Sequence, residues 1–429
     1  MQITVLAGRK LHWAEVPLVP SLPSDVECWM SDADRTLSSP AHREHLKSLY
    51  RSTLLDDVIP FWLRHGMDTE HDGIITSLDR DGTIVDTDKS IWFQGRAAWT
   101  FATLYNTVEK KREWLAAAGS CLSFLETHGY ATNGKLFFTV TREGKPLRMR
   151  RYVFSEAFAA IAHAAYAKAT HDERYADMAR RDFATYLKHS FEPGLMLPKV
   201  DSETRPMMGI GALMIGIATA QELRLNLGDV KISGHTCSEW ADRFILEIER
   251  HFFKADLGAL MEVVAPDGSI LDHFDGRTLN PGHALECAWF ILHEGRWRSE
   301  KSYIRLGLQI LDAMWERGWD KEHGGLFYFR DVFNKPVQEY WHDMKFWWPH
   351  NEAVIATQLA WHLTADAKYA RWHQLVHDWS FQHFPDPQHG EWFGYLHRDG
   401  SPSVTLKGNM WKGPFHLPRM LLYCGKLLE

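Results

Sequence analysis

The chain has 429 residues, of which 45% are hydrophobic and 24% charged, an ordinary globular balance that excludes a fibrous or disordered protein. Its formal net charge of -7, without any run of Lys and Arg, argues against a nucleic-acid partner, because such a partner requires a basic surface. The 19 Trp, 13 Tyr and 23 Phe are many for this length and are typical of a concave site that stacks on flat ligand faces.

The amino-terminal segment is rich in proline and has little periodicity, so we expect residues 1–40 to form an arm and residues 41–429 to form one domain. Its apolar stretch is too short for a signal sequence, and no run of 18 apolar residues is available to span a membrane. The five cysteines are scattered, odd in number and without CxxC spacing, so neither a disulfide framework nor a thiolate zinc site is predicted. We therefore expect a cytoplasmic protein.

From residue 73 onwards, one phrase recurs six times: a glycine, then alternating apolar residues, then usually a charged or Asp-Gly turn. Alternation flanking such turns is typical of a short β-hairpin. The intervals between the glycines are 61, 60, 64, 67 and 65 residues, and the third copy is degenerate. The glycines are Gly73, Gly134, Gly194, Gly258, Gly325 and Gly390.

Two stretches with apolar residues at helical spacing lie between successive hairpins, as in residues 96–105 and 111–128. Each unit of about 64 residues therefore contains two helices and one hairpin. Six such units predict an all-α fold, an (α/α)6 barrel of one domain with short β-hairpins at one end.

The openings of the first helices carry the unusual side chains. His283, His350 and His416 follow their hairpin glycines by 25, 25 and 26 residues, so we expect them at one height, converging on one end of the lumen. Carboxylates at these openings are expected to orient the imidazoles or to bind sugar hydroxyls, and an arginine to bind a carbonyl or developing enolate oxygen. The predicted substrate-binding residues are Arg96, Glu156, Arg205, Glu286, Trp347, His350, Glu352 and Arg419.

His283 and His416 are the predicted catalytic residues. Asn280 is a favoured N-cap and Pro281 a favoured first helical residue, which places His283 in a first turn, where the helix dipole favours a neutral ring. His416 precedes Pro418, which is tolerated only in a first turn. Two opposed imidazoles of near-neutral pKa are what proton abstraction on one face of a carbon and return on the other require.

The remaining motifs are weaker. No HxH or HExxH pair occurs, so no metal site is predicted. The pair Trp347 and Trp348 is typical of packing inside the barrel or, equally, of a platform for a sugar ring. The segment 406–415 lacks the pattern of a phosphate-binding P-loop and is interpreted as a loop.

Taken in order, these segments resemble the N-acylglucosamine 2-epimerases over residues 45–425. The resemblance rests on WFQGRAAW, FSEAF, APDGS, NPGHALE, HGGLFYF, KFWWPHNEA, GEWFGYLHRDG and KGPFHLPR. It implies an (α/α)6 barrel that interconverts N-acetylglucosamine and N-acetylmannosamine by deprotonation and reprotonation of C2 in the ring-opened sugar. The same resemblance implies that His283 and His416 exchange the proton and that Arg96 holds the carbonyl end.

The resemblance implies no redox cofactor, and the predicted partner is a small-molecule monosaccharide. Some members of the family require ATP as an activator, and the sequence leaves this requirement open. A homodimer is expected because symmetric dimers are the commonest assemblies.

Other functions stay open from the sequence alone. A 2-epimerase or an aldose-ketose isomerase acting on unmodified mannose or glucose uses the same enediolate. A glycoside hydrolase on this fold requires two essential acids, for which Glu156, Glu286 and Glu352 are candidates. A non-catalytic binding protein is the fourth reading, suggested by the renin association of mammalian relatives.

Overall fold

The computed structural model describes residues 36–150 and 152–429, so the predicted arm lies outside the described residues apart from its last positions, 36–40. The helices of the described residues are α1 (Pro40–Ser52), α2 (Ile59–His65), α3 (Ile91–Thr107), α4 (Arg112–His128), α5 (Phe154–Thr170), α6 (Glu173–Phe191), α7 (Gly211–Leu227), α8 (Cys237–Glu247), α9 (Phe274–Arg277), α10 (Pro281–Arg298), α11 (Lys301–Gly318), α12 (Trp347–Thr364), α13 (Ala367–His383) and α14 (His416–Leu427). The strands of the same residues are β1 (Ser77–Leu78), β2 (Ile84–Asp86), β3 (Lys89–Ser90), β4 (Thr139–Val140), β5 (Pro146–Arg148), β6 (Met208–Gly209), β7 (Lys231–Ile232), β8 (His235–Thr236), β9 (Phe253–Lys254), β10 (Ala259–Leu260), β11 (Val263–Val264), β12 (Thr278–Leu279), β13 (Arg330–Asp331), β14 (Lys345–Phe346) and β15 (Tyr395–Leu396).

The helices form the predicted (α/α)6 barrel. Its inner ring runs in the order α3, α5, α7, α10, α12 and α14, each helix packed against the next. The outer ring consists of α4, α6, α8, α11, α13 and the first segment, in which the π-helical residues Thr53–Val58 join α1 to α2. The two rings differ because an inner helix such as α12 is buried on every side, whereas an outer helix such as α11 buries only one face.

Local sequence signals fix where the inner helices begin. Asn280 caps α10 by accepting a hydrogen bond from the backbone N–H of His283 at 3.1 Å, and Pro281 is the first residue of that helix. Helix α14 begins at His416, with Pro418 in its first turn. The predicted placement of both histidines at helix entries is therefore confirmed.

The repeat glycines are required by the backbone. All six have a positive φ, between 55° and 80°, a region that an L side chain rarely adopts. Predicted hairpins form where β1 pairs with β2 and β4 with β5. Around the third glycine, Gly194, no strand forms within the described residues, and β6 pairs instead with β11 of the next unit.

Strand pairing also connects neighbouring units at this end of the barrel. Strand β3 pairs with β4, β12 with β13, and β14 with β15, each pair joining two successive units. A bridge between Leu78 and Gly408 joins the first unit to the last. The hairpin end is thus tied together around the ring.

A buried aspartate–lysine pair joined by an arginine of the next unit recurs three times within the described residues. Lys89 Nζ lies 2.8 Å from Asp68 Oδ2, both side chains being fully buried, and Arg142 Nε of the second unit donates to the same oxygen at 2.8 Å. The equivalent groups in the other two copies are Asp320, Lys345 and Arg398, and Asp386, Lys407 and Arg80.

The last of these copies closes the ring, because Asp386 and Lys407 belong to the sixth unit and Arg80 to the first. Burial of the Asp386 carboxyl alone would raise its pKa, but Arg80 and Lys407 outweigh this and lower it to about 2. Burial lowers the pKa of Lys407 to about 8. The carboxylate therefore neutralises a lysine that has little contact with water.

The core is apolar and continuous through the barrel, and the described cysteines, Cys121, Cys237, Cys287 and Cys424, are buried free thiols within it. None of the helices in the described ranges is long and apolar enough to cross a bilayer.

We expect Asp386→Asn to lower the free energy of unfolding by about 3–5 kcal/mol, because it leaves Lys407 buried without a counter-ion. The matched variant Arg80→Ala removes a side chain that is 38% exposed, so its cost should be about 1 kcal/mol or less. Urea unfolding followed by tryptophan fluorescence measures both. Equal losses for the two variants would contradict the importance given to the buried pair.

Candidate active site

A cavity of about 1100 Å³ occupies the lumen of the inner ring. Tyr340 and Trp411 line its mouth at the hairpin end, and Asn106 and Lys426 line its far end, near the carboxyl ends of the inner helices. The aromatic richness of the sequence is concentrated here. The cavity is large enough to enclose a small ligand completely.

His283 and His416 both line this cavity. Their helices, α10 and α14, are the two neighbours of α12 in the inner ring, so the histidines flank α12 rather than face each other across the lumen. Both imidazoles contact the Trp348 ring, with centroids 5.0 Å away for His283 and 5.8 Å away for His416. The structure thus brings the two predicted catalytic residues to one place.

His283 is paired with a carboxylate that the sequence did not indicate. Its Nδ1 lies 2.9 Å from Glu262 Oε2, and its side chain is 35% exposed, towards the cavity. Burial lowers the pKa of His283, but the charge and hydrogen bond of Glu262 raise it more, so the net shift is upward. The carboxylate in contact with the ring thus acts against the neutral form that the helix dipole favours.

Glu262 was missed for an identifiable reason. It lies between β10 and β11, in the hairpin segment of the fourth unit and not at a helix opening, where candidate residues were sought. The available signal is a single carboxylate inside the apolar run ALMEVV.

His416 has the opposite electrostatic environment. Its Nδ1 lies 2.7 Å from Glu352 Oε1 and 3.3 Å from a terminal nitrogen of Arg419. Burial lowers its pKa well below the usual value, and the positive charges of Arg419 and Arg96 lower it further. With the Nδ1 hydrogen donated to Glu352, the Nε2 lone pair is left to accept a proton.

Arg419 holds the predicted carboxylates together. One terminal nitrogen donates to Glu286 Oε1 at 2.6 Å and to Glu352 Oε1 at 2.7 Å. Trp289 Nε1 donates to the second oxygen of Glu352 at 2.7 Å. Ligand atoms of Glu286, Glu352 and His416 lie within 4.8 Å of one another, a spacing that suits a metal ion, but the Arg419 guanidinium already supplies the positive charge.

Arg96 lies over aromatic faces at the same level of the lumen. Its guanidinium carbon is 4.4 Å from the Trp92 ring centroid, 4.1 Å from that of Phe158 and 4.9 Å from that of Phe415. Burial lowers the pKa of Arg96 to about 9. Its Nε is buried without a hydrogen-bond partner among the described residues, which suits a cation that awaits a ligand oxygen.

Trp347 and Trp348, at the start of α12, have different surroundings. Trp348 lines the cavity and contacts both histidines. Trp347 also lines the cavity but is almost fully buried, with its ring against Tyr395 at 5.4 Å and His416 at 6.1 Å. It packs the wall behind His416.

Four predicted binding residues do not line the cavity. One is Glu352, which is fully buried and holds His416 and Arg419. The others are Glu156, His350 and Arg205. Glu156 Oε1 accepts from the Leu136 backbone N–H at 2.7 Å, and His350 Nε2 accepts from the Leu326 backbone N–H at 2.9 Å. Both side chains therefore hold the hairpin of their own unit. Arg205 is exposed on the loop before β6.

The spacing argument failed for His350 because the loops between hairpin and helix differ in length. His283 is the third residue of α10, His350 the fourth of α12 and His416 the first of α14. Each residue along a helix turns the side chain by about 100°, so equal distance from the glycine does not give an equal direction. His350 points outward, stacked on Trp379 at 4.7 Å.

The barrel and its two carboxylate-held histidines define an enzyme of the carbohydrate epimerase class. The sequence profile of the N-acylglucosamine 2-epimerase (GlcNAc 2-epimerase) family matches residues 73–416. The chain therefore belongs to this family.

Individual relatives agree with this assignment. An N-acylglucosamine 2-epimerase of Bos taurus is 35% identical over 390 residues, covering 87% of this chain and 89% of that protein. Among solved structures, a cellobiose 2-epimerase of Bacillus thermoamylovorans superposes with a TM-score of 0.77 at 19% identity, covering 89% of this chain and 99% of the other. A D-mannose isomerase superposes with a TM-score of 0.75 at 19% identity, covering 89% and 97%. At such identities the two structures support the fold alone.

We expect Glu262→Gln to lower the pKa of His283, because burial then acts on the imidazolium without an opposing carboxylate. Above its pKa, His283 loses its proton, so the alkaline limb of the activity profile should move to lower pH while the acid limb stays. NMR titration of ¹⁵N-labelled histidine measures the pKa directly. Glu143→Gln, at an exposed carboxylate on the second hairpin, is the control, and an unchanged His283 pKa in Glu262→Gln would refute the pairing.

Proposed function

We propose that the protein interconverts N-acetyl-D-glucosamine and N-acetyl-D-mannosamine by moving a proton at C2 between His283 and His416. The observation that carries this proposal is the pair of imidazoles, each held at Nδ1 by a glutamate and each in contact with the same indole, Trp348, in the lumen of the barrel. The similarity to N-acylglucosamine 2-epimerases over most of the chain supports it.

The reaction requires the ring-opened sugar. One imidazole, as a base, takes the C2 proton, the C1–C2 double bond forms, and the electron pair of the carbonyl moves to O1. Arg96 is the cation available for the resulting oxyanion, since its guanidinium lines the cavity and lacks an anionic partner among the described residues. The other imidazole, as an imidazolium, then returns a proton to the opposite face of C2, and O1 becomes a carbonyl oxygen again.

The unequal surroundings of the histidines assign the resting proton. Glu262 favours the imidazolium of His283, whereas Arg419 and burial favour neutral His416. Residues of one type whose surroundings push their pKa values apart are suited to act as acid and base. Each inversion transfers the proton from one histidine to the other, so the enzyme returns to rest by exchange with water or by the reverse reaction.

Unmodified mannose and glucose are the alternative substrates, with either 2-epimerisation or aldose-ketose isomerisation. Both reactions use the same first proton transfer, and formation of fructose from mannose distinguishes the isomerase. Hydrolysis is disfavoured, because Glu286 and Glu352 both accept hydrogen bonds from Arg419. The third candidate acid, Glu156, binds the backbone of its hairpin and does not line the cavity.

Three further proposals accompany this function. We place the enzyme in the cytoplasm, which the buried free thiols support, since cytosolic proteins keep their cysteines reduced. We propose a homodimer, to be tested by light scattering. ATP as an activator is to be tested by adding it to the assay described next.

We expect His283→Asn and His416→Asn each to lower kcat for epimerisation about 10²–10⁴-fold, because each removes one of two proton carriers. In heavy water, each variant should still exchange the C2 hydrogen of one epimer without inverting it, and the two variants should exchange opposite epimers. Proton NMR of N-acetylglucosamine and N-acetylmannosamine, incubated separately, measures this exchange.

His235→Asn, at a partly exposed histidine on β8, is the control and should retain epimerisation. Absence of C2 exchange in the unmodified enzyme with both acylated and free hexoses would refute the proposed function. Exchange of the same epimer by both variants would refute a two-base mechanism.

A further inference from the structure

In the part of the chain that the structure describes, three inner helices hold the hairpin of their own unit through a side chain in their first turn. This side chain, here termed the hairpin anchor, accepts the backbone N–H of a hairpin residue that also forms an isolated bridge to the segment after an outer helix. A side chain used in this way is directed at the hairpin and not into the lumen. The pairs are Gln94 with Ile74 at 2.8 Å, Glu156 with Leu136 at 2.7 Å and His350 with Leu326 at 2.9 Å.

The two units that carry the histidines of the site use a different anchor. In the fourth unit, the backbone N–H of Leu260 is bound at 3.3 Å by the sulfur of Met314, which comes from the outer helix α11. In the sixth unit, the hairpin residue with the equivalent bridge is Trp392, and its N–H is bound at 2.9 Å by the side chain of Glu391. The first turns of α10 and α14 therefore do not have to bind their hairpins, and their side chains can enter the lumen.

Glu391 is held in this role by Lys412. The oxygen of Glu391 that accepts the Trp392 N–H also accepts from Lys412 Nζ at 2.9 Å, and its second oxygen accepts from Trp62 Nε1 at 2.6 Å. Lys412 Nζ donates in addition to the backbone carbonyl of Lys407 at 2.9 Å. The side chains of Lys412 and Glu391 are each 1% exposed. A buried polar network with its hydrogen bonds made is rigid, so it fixes the segment between Lys407 and Lys412.

Lys412 also occupies the place in the sequence that an anchor occupies in two other units. In each case five residues separate the anchor from the lysine of the buried aspartate–lysine pair: Gln94 follows Lys89, His350 follows Lys345 and Lys412 follows Lys407. An ammonium group donates hydrogen bonds but accepts none, so Lys412 cannot bind an N–H itself and requires Glu391 in between. Helix α14 begins nine residues after its lysine, whereas α3 and α12 begin two residues after theirs. The extra residues thus move the anchor out of the helix and into the preceding loop.

This loop leads directly to His416. Asn409 Oδ1 accepts the backbone N–H groups of Trp411 and Lys412 at 2.8 and 2.9 Å, which folds the loop back on itself. Trp411 lines the mouth of the cavity, and Lys412 Nζ lies 5.9 Å from the ring centroid of Trp347, which packs behind His416. A change at Lys412 therefore reaches His416 both through the chain and through the wall of the lumen.

We propose that Lys412 is a positioning residue for His416. Together with Glu391 it replaces the hairpin anchor of the sixth unit, so that the first turn of α14 presents His416 and Arg419 to the lumen. This inference rests on the proposed function, because it assigns Lys412 to one of the two proton carriers of that reaction.

The exchange assay in heavy water separates an effect on His416 from a general loss of structure. Lys412→Met keeps the length of the side chain and removes its donors, so the loop loses its attachment while His283 keeps Glu262. We expect the initial rate of C2 exchange to fall about 10–100-fold for the epimer that depends on His416, identified with His416→Asn. Exchange of the other epimer should change about threefold or less.

Lys89→Met is the matched control, because Lys89 is an equally buried lysine, paired with Asp68 at 2.8 Å, in a unit that carries neither histidine. Its inner helix carries Arg96, which serves both epimers, so any loss of exchange should be equal for the two sugars. If Lys412→Met does not fold, the double variant Glu391→Gln/Lys412→Met carries the same test. It leaves no unpaired charge, and its carboxamide oxygen can still accept the hairpin N–H.

Equal losses for both epimers in the Lys412 variants, unchanged exchange of both epimers, or the same selectivity in Lys89→Met would overturn the inference. Absence of C2 exchange in the unmodified enzyme with every sugar is a different outcome, since it removes the proposed function itself.

Discussion

Closure of the inner ring at the hairpin end is the constraint on which the site depends. Apart from Glu262, the charged side chains of the site project from the first two turns of inner helices, and those turns are positioned by the strands and buried ion pairs between units. The contact of Asp386 with Lys407 and Arg80 joins the sixth unit to the first, beside the loop that leads to His416. A buried ion pair adds little net stability compared with apolar packing, but it accepts only one geometry, which is what a site of fixed distances requires.

Within this ring, two side chains of the same type have different electrostatic surroundings. His283 and His416 both start inner helices and both contact a glutamate through Nδ1. The difference lies in burial of His416 and in the positive charges of Arg419 and Arg96 beside it. The pKa of His416 is therefore lowered, whereas that of His283 is raised by Glu262.

The sequence predicted the fold well because the repeat is enforced by local chemistry. A positive φ at Gly73 or Gly325 favours glycine over any other residue. The repeat of the barrel is therefore marked in the sequence by glycines that are difficult to replace. His283 was placed correctly because Asn280 and Pro281 mark a helix start without reference to the rest of the fold.

The predictions for individual site residues failed for another reason. The direction of a side chain depends on loop length and on contacts between residues that are distant in sequence. His350 and Glu156 occupy helix openings, yet both turn outward to bind backbone N–H groups of their hairpins. Glu262 comes from the segment between β10 and β11, which lies beside His283 only in the folded ring, 21 residues away in sequence. The hydrophobic periodicity of the sequence does not indicate a contact of this kind.

The account stands on two imidazoles acting on one carbon. A crystal structure with N-acetylmannosaminitol, the open-chain alcohol that cannot react, tests this claim most directly. It should show C2 within about 3.5 Å of Nε2 of both His283 and His416. A ligand whose C2 approaches only one of the two histidines, or that binds outside the lumen, would contradict the account.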